Sequence, residues 1–203
     1  MAANTTRQIL IDAAYELFGR EGFHTVGLDR ILADAGVSKQ TFYNHFQSKD
    51  DLILAVLDTR HHAETRTVAE LFAKLGGDDP RDRLYALFDV FEAWFNLPSF
   101  RGCIFLTAAA EFPVPHDPAH RAAAAHAASF VDHLHELATL AGADDPRSLA
   151  EQLAVLVEGI IAFRHVTGDA RTVDIARQTG KLLLDHHLPH PAAAGGFANQ
   201  FVQ

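Results

Sequence analysis

Apolar positions recur at helical spacing along most of the chain, and the interruptions between them mark the elements. Ile9, Leu10, Ala13, Ala14, Leu17 and Phe18 form a first stripe. A Thr5–Gln8 capping box opens it, Gly19 and Gly22 close it, and Phe23 plugs the turn. Leu28, Ile31, Leu32 and Ala35 form a second stripe, which ends at Gly36, a residue that takes the left-handed conformation cheaply. Val37 returns to the core, and Ser38 caps a short third segment, Lys39 to Phe46. Ser48, with Asp51 three residues on, starts a long fourth helix predicted from Lys49 to about Leu75. Gly76-Gly77 stops it. Further helices are predicted over 80–95, over the apolar run 102–112 stopped by Pro113 and Pro115, and over about 117–140, 145–166 and 171–187. Asp79, Asp117 and Asp145 each stand before a proline, pairing an N-cap with the residue best suited to the first helical position. No strand alternation, repeat or heptad array interrupts the pattern. The expected fold is therefore all-α, about nine helices: a three-helix head over 1–48, a helical body over 49–188 joined to it by the fourth helix, and a weakly ordered tail over 189–203.

The third segment does not read like the others. Phe42 and Phe46 alone, at i and i+4, anchor one face; Lys39, Gln40, Thr41, Tyr43, Asn44 and His45 occupy the rest. Two turns of helix with so much hydrogen-bonding surface are poorly explained by folding alone, whereas a major groove offers base edges and phosphates to such groups. Lys39, Gln40, Thr41, Tyr43 and Asn44 are candidates for base or near-base contacts, and Tyr43, His45 and Lys49 for phosphates. The competing reading is a solvated helix face on which Tyr43 packs.

The run Thr25 to Lys49, TVGLDRILADAGVSKQTFYNHFQSK, resembles the helix-turn-helix of the TetR/AcrR family of bacterial regulators. Ile31, Ala35, Gly36, Val37, Ser38, Thr41, Tyr43, His45, Phe46, Ser48, Lys49 and Leu52 carry the likeness, and Ala13, Leu17, Phe18, Gly22 and Phe23 fit the preceding helix and turn. It covers about the first quarter of the chain. Gln40 stands where the family often has a small residue, and Val26-Gly27 replaces its usual hydroxyl pair, with Thr25 one step earlier. With Thr25, Arg30 and Ser38 added, the DNA-reading set is complete. The resemblance implies a ligand-responsive DNA-binding regulator, a repressor, that grips a palindromic operator on double-stranded DNA as a homodimer and is released by a small molecule. It places the dimer contact on the last two helices, where Leu149, Leu153, Leu156, Ile160, Val173, Ala176 and Leu183 are the candidates; a core within one chain is the alternative. It also implies an effector pocket in the body, for which Phe91, Trp94, Cys103, Phe105, Glu111 and Phe163 are the candidates, suiting an apolar or aromatic molecule with a polar group. Ordinary core packing is the competing account of each.

Composition adjusts this picture modestly. The net charge of −9 stands against DNA binding at first count. Yet Arg7, Arg20, Arg30, Lys39 and Lys49 nearly balance the acids of the first 50 residues, so the deficit belongs to the body. Phosphate attraction is local and screened over about 10 Å, which leaves a near-neutral head free to bind. A single cysteine, Cys103, gives no internal disulfide, and no basic apolar leader or membrane-length run is seen; a soluble bacterial protein of the cytoplasm, associated with the nucleoid when bound to DNA, is expected. Cys103 reads as a small buried hydrophobe or, with only Arg101 basic nearby, a redox sensor. Thirteen histidines raise metal chemistry. Only His116 and His120 have ligand spacing on a helix; His61-His62, His133/His135 and His186-His187-His190 point their members apart. An all-helical metal-dependent hydrolase using these histidines with Glu111, or a metal-sensing form of the regulator, is the alternative. No nucleophile triad, phosphate loop or HExxH motif accompanies them. Neither a cofactor nor a catalytic residue is expected.

Overall fold

A computed structural model of the chain describes residues 5–97 and 102–188. The expected Met1–Asn4 arm, the stop at Pro98-Ser99, Arg101, His190 and the tail with Phe197 and Phe201 lie outside them. The described residues form ten helices and no strand: α1 (Thr6–Glu21), α2 (Leu28–Ala35), α3 (Lys39–Tyr43), α4 (Lys49–Gly76), α5 (Pro80–Tyr85), α6 (Leu87–Phe95), α7 (Ile104–Glu111), α8 (Pro118–Leu140), α9 (Pro146–Thr167) and α10 (Thr172–His187).

The caps explain most boundaries. Asp79, Asp117 and Asp145 accept from the amides of Arg81 (2.8 Å), Ala119 (2.8 Å) and Ser148 (3.0 Å), each satisfying a donor that the first helical turn would otherwise orphan. Thr5 accepts from the Gln8 amide at 3.3 Å, but the Gln8 side chain turns forward to Asp12 at 2.8 Å, so only half of that capping box forms. At Ser48 the return arm reaches one residue further back: Asp51 accepts from the Gln47 amide at 3.0 Å.

Ten helices replace the expected nine because the segment 80–95 divides at Ala86, whose φ of −76° and ψ of −5° turn the chain. The division lets α5 pack on α4 and α8 while α6 packs on α4 and α10. The third helix is also shorter than its pattern predicts. It ends at Tyr43, and Phe46 is carried by a turn whose amide still bonds the Phe42 carbonyl at 3.0 Å.

Two apolar cores form, and α4 belongs to both. Leu52, Ile53, Val56 and Leu57 join α1, α2, Phe42 and Phe46 in the N-terminal core. Phe72 joins α5, α6, α8, α9 and α10 in the other. At 28 residues α4 is about 42 Å long, enough to reach between them. The N-terminal core also draws Ile104, Phe105 and Ala108 from α7 and Ala119 and Ala123 from α8, well beyond residue 48. No described helix is long and apolar enough to cross a membrane.

Within the C-terminal core, Gly180 lets α10 lie against the ring of Phe88. A β-carbon there would sit 2.1 Å from Phe88 Cε2, and the ring is itself fully buried. Gly180→Ala is expected to destabilise the fold by about 1–3 kcal/mol, the usual cost of overpacking, although alanine is the better helix former. Urea unfolding of the two proteins checks it.

Candidate nucleic-acid interface and effector cavity

The reading face is built by pinning a short helix at its back. Phe42 is fully buried, packing on Phe46 at 5.6 Å between ring centroids and edge-on to Tyr43 at 5.3 Å. Gly36, at φ +65°, closes α2 and lets the chain turn into Ser38. Ser38 accepts from the Thr41 amide at 3.1 Å and shares a hydroxyl contact of 2.8 Å with Thr41, so these two set the helix start. Lys39, Gln40, Tyr43, Asn44 and His45 stand exposed on one end of the molecule, Tyr43 with 53% of its surface open. Lys39 lies 3.9 Å from Asp29 and Arg30 3.8 Å from Glu21, both pairs in solvent and weak. Thr25 is exposed too, and α2 starts at Gly27 without any side-chain cap. Arg7, absent from the sequence-derived set, borders the same surface with its guanidinium 5.2 Å from the Phe46 ring centroid. Its only sequence signal was a cation in the first turn of α1.

Lys49 proves to be a structural tie. Its ammonium donates to the Phe23 carbonyl at 2.5 Å and lies 5.9 Å from the Phe18 ring centroid. Burial pushes its pKa down, against the opposing pull of Asp50 and Glu111. One donor of the ammonium is thus committed to the fold, beside the phosphate contact expected of this residue.

Glu111 likewise has a different role from the pocket residue expected. From the C-terminal end of α7 its carboxylate accepts from the amides of Phe23 at 3.0 Å and His24 at 2.7 Å. The His24 ring returns the contact through Nε2, 2.9 Å from the Glu111 carbonyl oxygen. Gly22, at φ +82°, passes so close that a β-carbon there would meet Glu111 Oε1 at 2.5 Å. The loop between α1 and α2 is thus fastened to the body by one carboxylate.

A cavity of about 350 Å³ opens between α4, α6, α8 and α9. Phe91, Trp94 and Cys103 line it, as expected, together with Phe130, Val157 and Ile161. Phe105 stands one layer back, stacked on the lining residue His126 at 3.7 Å and 6°. Phe163 does not belong to it; that ring points out of α9 and is 58% exposed. The polar lining escaped the sequence reading: Glu64, His126, Asp132, His133, Glu136 and Glu158 come from helices whose apolar stripes gave no hint of it. Glu64 is buried against Arg60 at 3.2 Å; burial lifts its pKa and Arg60 opposes the lift. His126 meets His61 at 3.0 Å, nitrogen to nitrogen, and is pushed down to about 4, first by burial and then by His61. Both rings are therefore compatible with the contact when neutral, one donating and the other accepting. Burial pushes the Cys103 thiol up to about 12, so it is not a thiolate and the redox-sensor reading loses its basis.

The metal candidates separate. His120 Nδ1 is engaged with the Phe112 carbonyl at 2.9 Å, while His116 is exposed. Among the described residues no group of three or more histidine, cysteine or acidic side chains is placed to hold a metal.

The dimer candidates need correction. Leu149, Leu153, Ile160, Val173 and Ala176 are buried inside the protomer, and Leu156 and Leu183 are half-buried against the same core. The five buried residues are not free to face a partner, whereas Leu156 and Leu183 keep part of their surface open. What α9 and α10 turn outward is a different apolar row, Val155, Phe163 and Val166 on one helix and Ile175 and Leu182 on the other, between 58% and 82% exposed.

Residues 10–56 match the family model "Bacterial regulatory proteins, tetR family", and residues 80–179 match "Tetracyclin repressor-like, C-terminal domain". Among curated proteins, the chain is 42% identical over 84 residues to the HTH-type transcriptional activator FasR of Mycolicibacterium smegmatis, covering 41% of this chain and 37% of that protein. It is 43% identical over 60 residues to the HTH-type transcriptional regulator SrpR of Pseudomonas putida, covering 30% of this chain and 28% of that one. The matches therefore span well under half of these curated relatives. Solved structures match over most of the chain: SCO4454, a TetR-family transcriptional regulator from Streptomyces coelicolor, has a TM-score of 0.82 and 33% identity over 90% of this chain and 95% of its own. Reduced NemR of E. coli, at 22% identity and a TM-score of 0.79 over 92% and 98% of the two chains, shares the fold.

Glu111→Ala removes the acceptor of two loop amides and is expected to destabilise the head by about 1–3 kcal/mol. Hydrogen exchange should accelerate at Phe23 and His24 and stay unchanged through α10.

Proposed function

The chain belongs to the tetR family of bacterial regulatory proteins, and on that premise we propose that it grips a palindromic operator as a homodimer and leaves it when a small molecule fills the body's cavity. The observation that carries this reading is the face of α3: exposed polar side chains on a helix fixed from behind by Phe42. Gln40, Asn44 and Tyr43 have the donors and acceptors to read base edges, and Lys39, His45 and Arg7 suit the flanking phosphates. One five-residue helix reads few base pairs, so specificity needs two heads set by a two-fold axis.

The outward row on α9 and α10 suits that axis. Val155, Gly159, Ala162, Phe163 and Val166 recur at 4, 3, 1 and 3 residues, a single helical stripe, and Gly159 has no atom within 4 Å of where a β-carbon would stand. A partner's helix can approach closely there. Release follows from α7. It begins at Cys103 beside the cavity and ends about 12 Å on at Glu111 under the head. A ligand that shifts its start moves the carboxylate holding Phe23 and His24, and the two heads lose their spacing. A dimer seated on a promoter excludes polymerase, so we read the protein as a repressor working in the cytoplasm on the nucleoid. The hydrolase alternative falls with the family, which consists of transcriptional regulators.

Gel retardation on the DNA upstream of the protein's own gene tests the reading. Wild type is expected to retain a palindromic fragment with strong salt dependence, and Gln40→Ala or Tyr43→Ala to lose about 1–3 kcal/mol of specific binding with unchanged thermal unfolding. Equal retention by both variants would remove α3 as the reader.

Phe163→Arg is expected to convert a sedimenting dimer into a monomer and to weaken the full palindrome far more than one half-site. Dimers unaffected by this charge would exclude the α9 stripe from the interface.

A further inference from the structure

The cavity's charge is one-sided. Glu64, Asp132, Glu136 and Glu158 line it, and among the described residues no lysine or arginine does. Two of the four are already neutralised: Glu64 by Arg60 at 3.2 Å and Asp132 by Arg147 at 3.2 Å. Glu158 is not. Its Oε2 is shut off from solvent and has no hydrogen-bond partner among the described residues, and burial alone raises its pKa. His133 Nε2, also on the lining, is in the same condition. An unpaired buried carboxylate is one of the least favourable groups a protein can carry, and it calls for a counter-charge. The remaining walls offer Phe91, Trp94 and Phe130, packed edge to face at 5.8 and 5.5 Å, whose ring quadrupoles attract cations. His126 and His133, both pushed down by burial, add no positive charge at neutral pH to compete.

We propose that the effector is a lipophilic organic cation, an aryl ammonium or similar onium group, whose charge is met by Glu158 and whose rings lie among Phe91, Trp94 and Phe130. This rests on the cavity being the effector site. An anion of the same shape meets the unpaired Glu158 and, among the described lining residues, no lysine or arginine. A neutral molecule leaves Glu158 as it was. The cation alone gains from every wall.

Trp94 is the chain's single tryptophan, so its fluorescence reports occupancy directly. The purified full-length protein is titrated with benzyltrimethylammonium and tetraphenylphosphonium, and in parallel with 2,2-dimethylpropylbenzene and tetraphenylborate, their neutral and anionic counterparts in size. At least one cation is expected to saturate the signal roughly tenfold more tightly than its counterpart, the scale of one desolvated cation–aromatic and charge contact. Glu158→Gln is expected to erase that preference with no loss of thermal stability, and Asp132→Asn, at a residue already paired with Arg147, to keep it. The proposal is overturned if neither cation outbinds its counterpart, or if Glu158→Gln preserves the preference. Operator retention by the same preparation separates the two readings: intact retention with no cation preference overturns the ligand class and leaves the regulator standing.

Discussion

Beside the covalent path through α4, the head is fastened to the body at a short loop, residues 22–24, held by charges from two directions. Glu111 takes its amides from the body side, and Lys49 donates to its Phe23 carbonyl from the start of α4. Charge-assisted hydrogen bonds of this kind are short, directional and stronger than neutral ones. They are also sensitive to small displacements, since alignment is lost over fractions of an ångström. An apolar contact in the same place would slide; a carboxylate bridging two amides holds or lets go.

That contrast runs along α4. Its first turns are sealed into one apolar core and its last turns into another, each packed closely enough to move as a block. Between them the buried side chain is Glu64, paired with Arg60, whose guanidinium also lies over Tyr15 at 4.1 Å; His61 reaches across to His126. The middle of the helix is therefore polar where both ends are greasy. The cavity sits beside this polar stretch, and Glu64 and His126 belong to both. On the proposed reading, occupancy would be felt at this seam as well as in the C-terminal core, whose Phe91, Trp94, Val157 and Ile161 also line the cavity.

Much of this was legible before any coordinates. Caps are local chemistry, so Asp-Pro starts, Gly36 and the Ser38 and Ser48 boxes placed their boundaries to within a residue or two. The exposed face of α3 followed from two phenylalanines four residues apart among polar neighbours. What the chain's pattern did not reveal depends on contacts distant in sequence. Glu111 lies 88 residues from Phe23, and nothing near it distinguishes an acid in a pocket from one capping a remote loop. On α9, apolar residues cover both sides of the helix, so periodicity could not say that Leu153 faces inward and Phe163 outward. The division at Ala86 has no breaker residue to announce it; only the need of α5 and α6 to address different neighbours explains it.

Gly22 carries an implication for how such a regulator diversifies. Its missing side chain leaves room for the Glu111 carboxylate, and its positive φ suits few other residues. A heavier residue at this position would crowd the acid off the loop, and on the release route proposed above it would change how readily the signal passes while touching neither α3 nor the cavity lining. On that route, sensitivity would have a locus of its own, apart from both specificities.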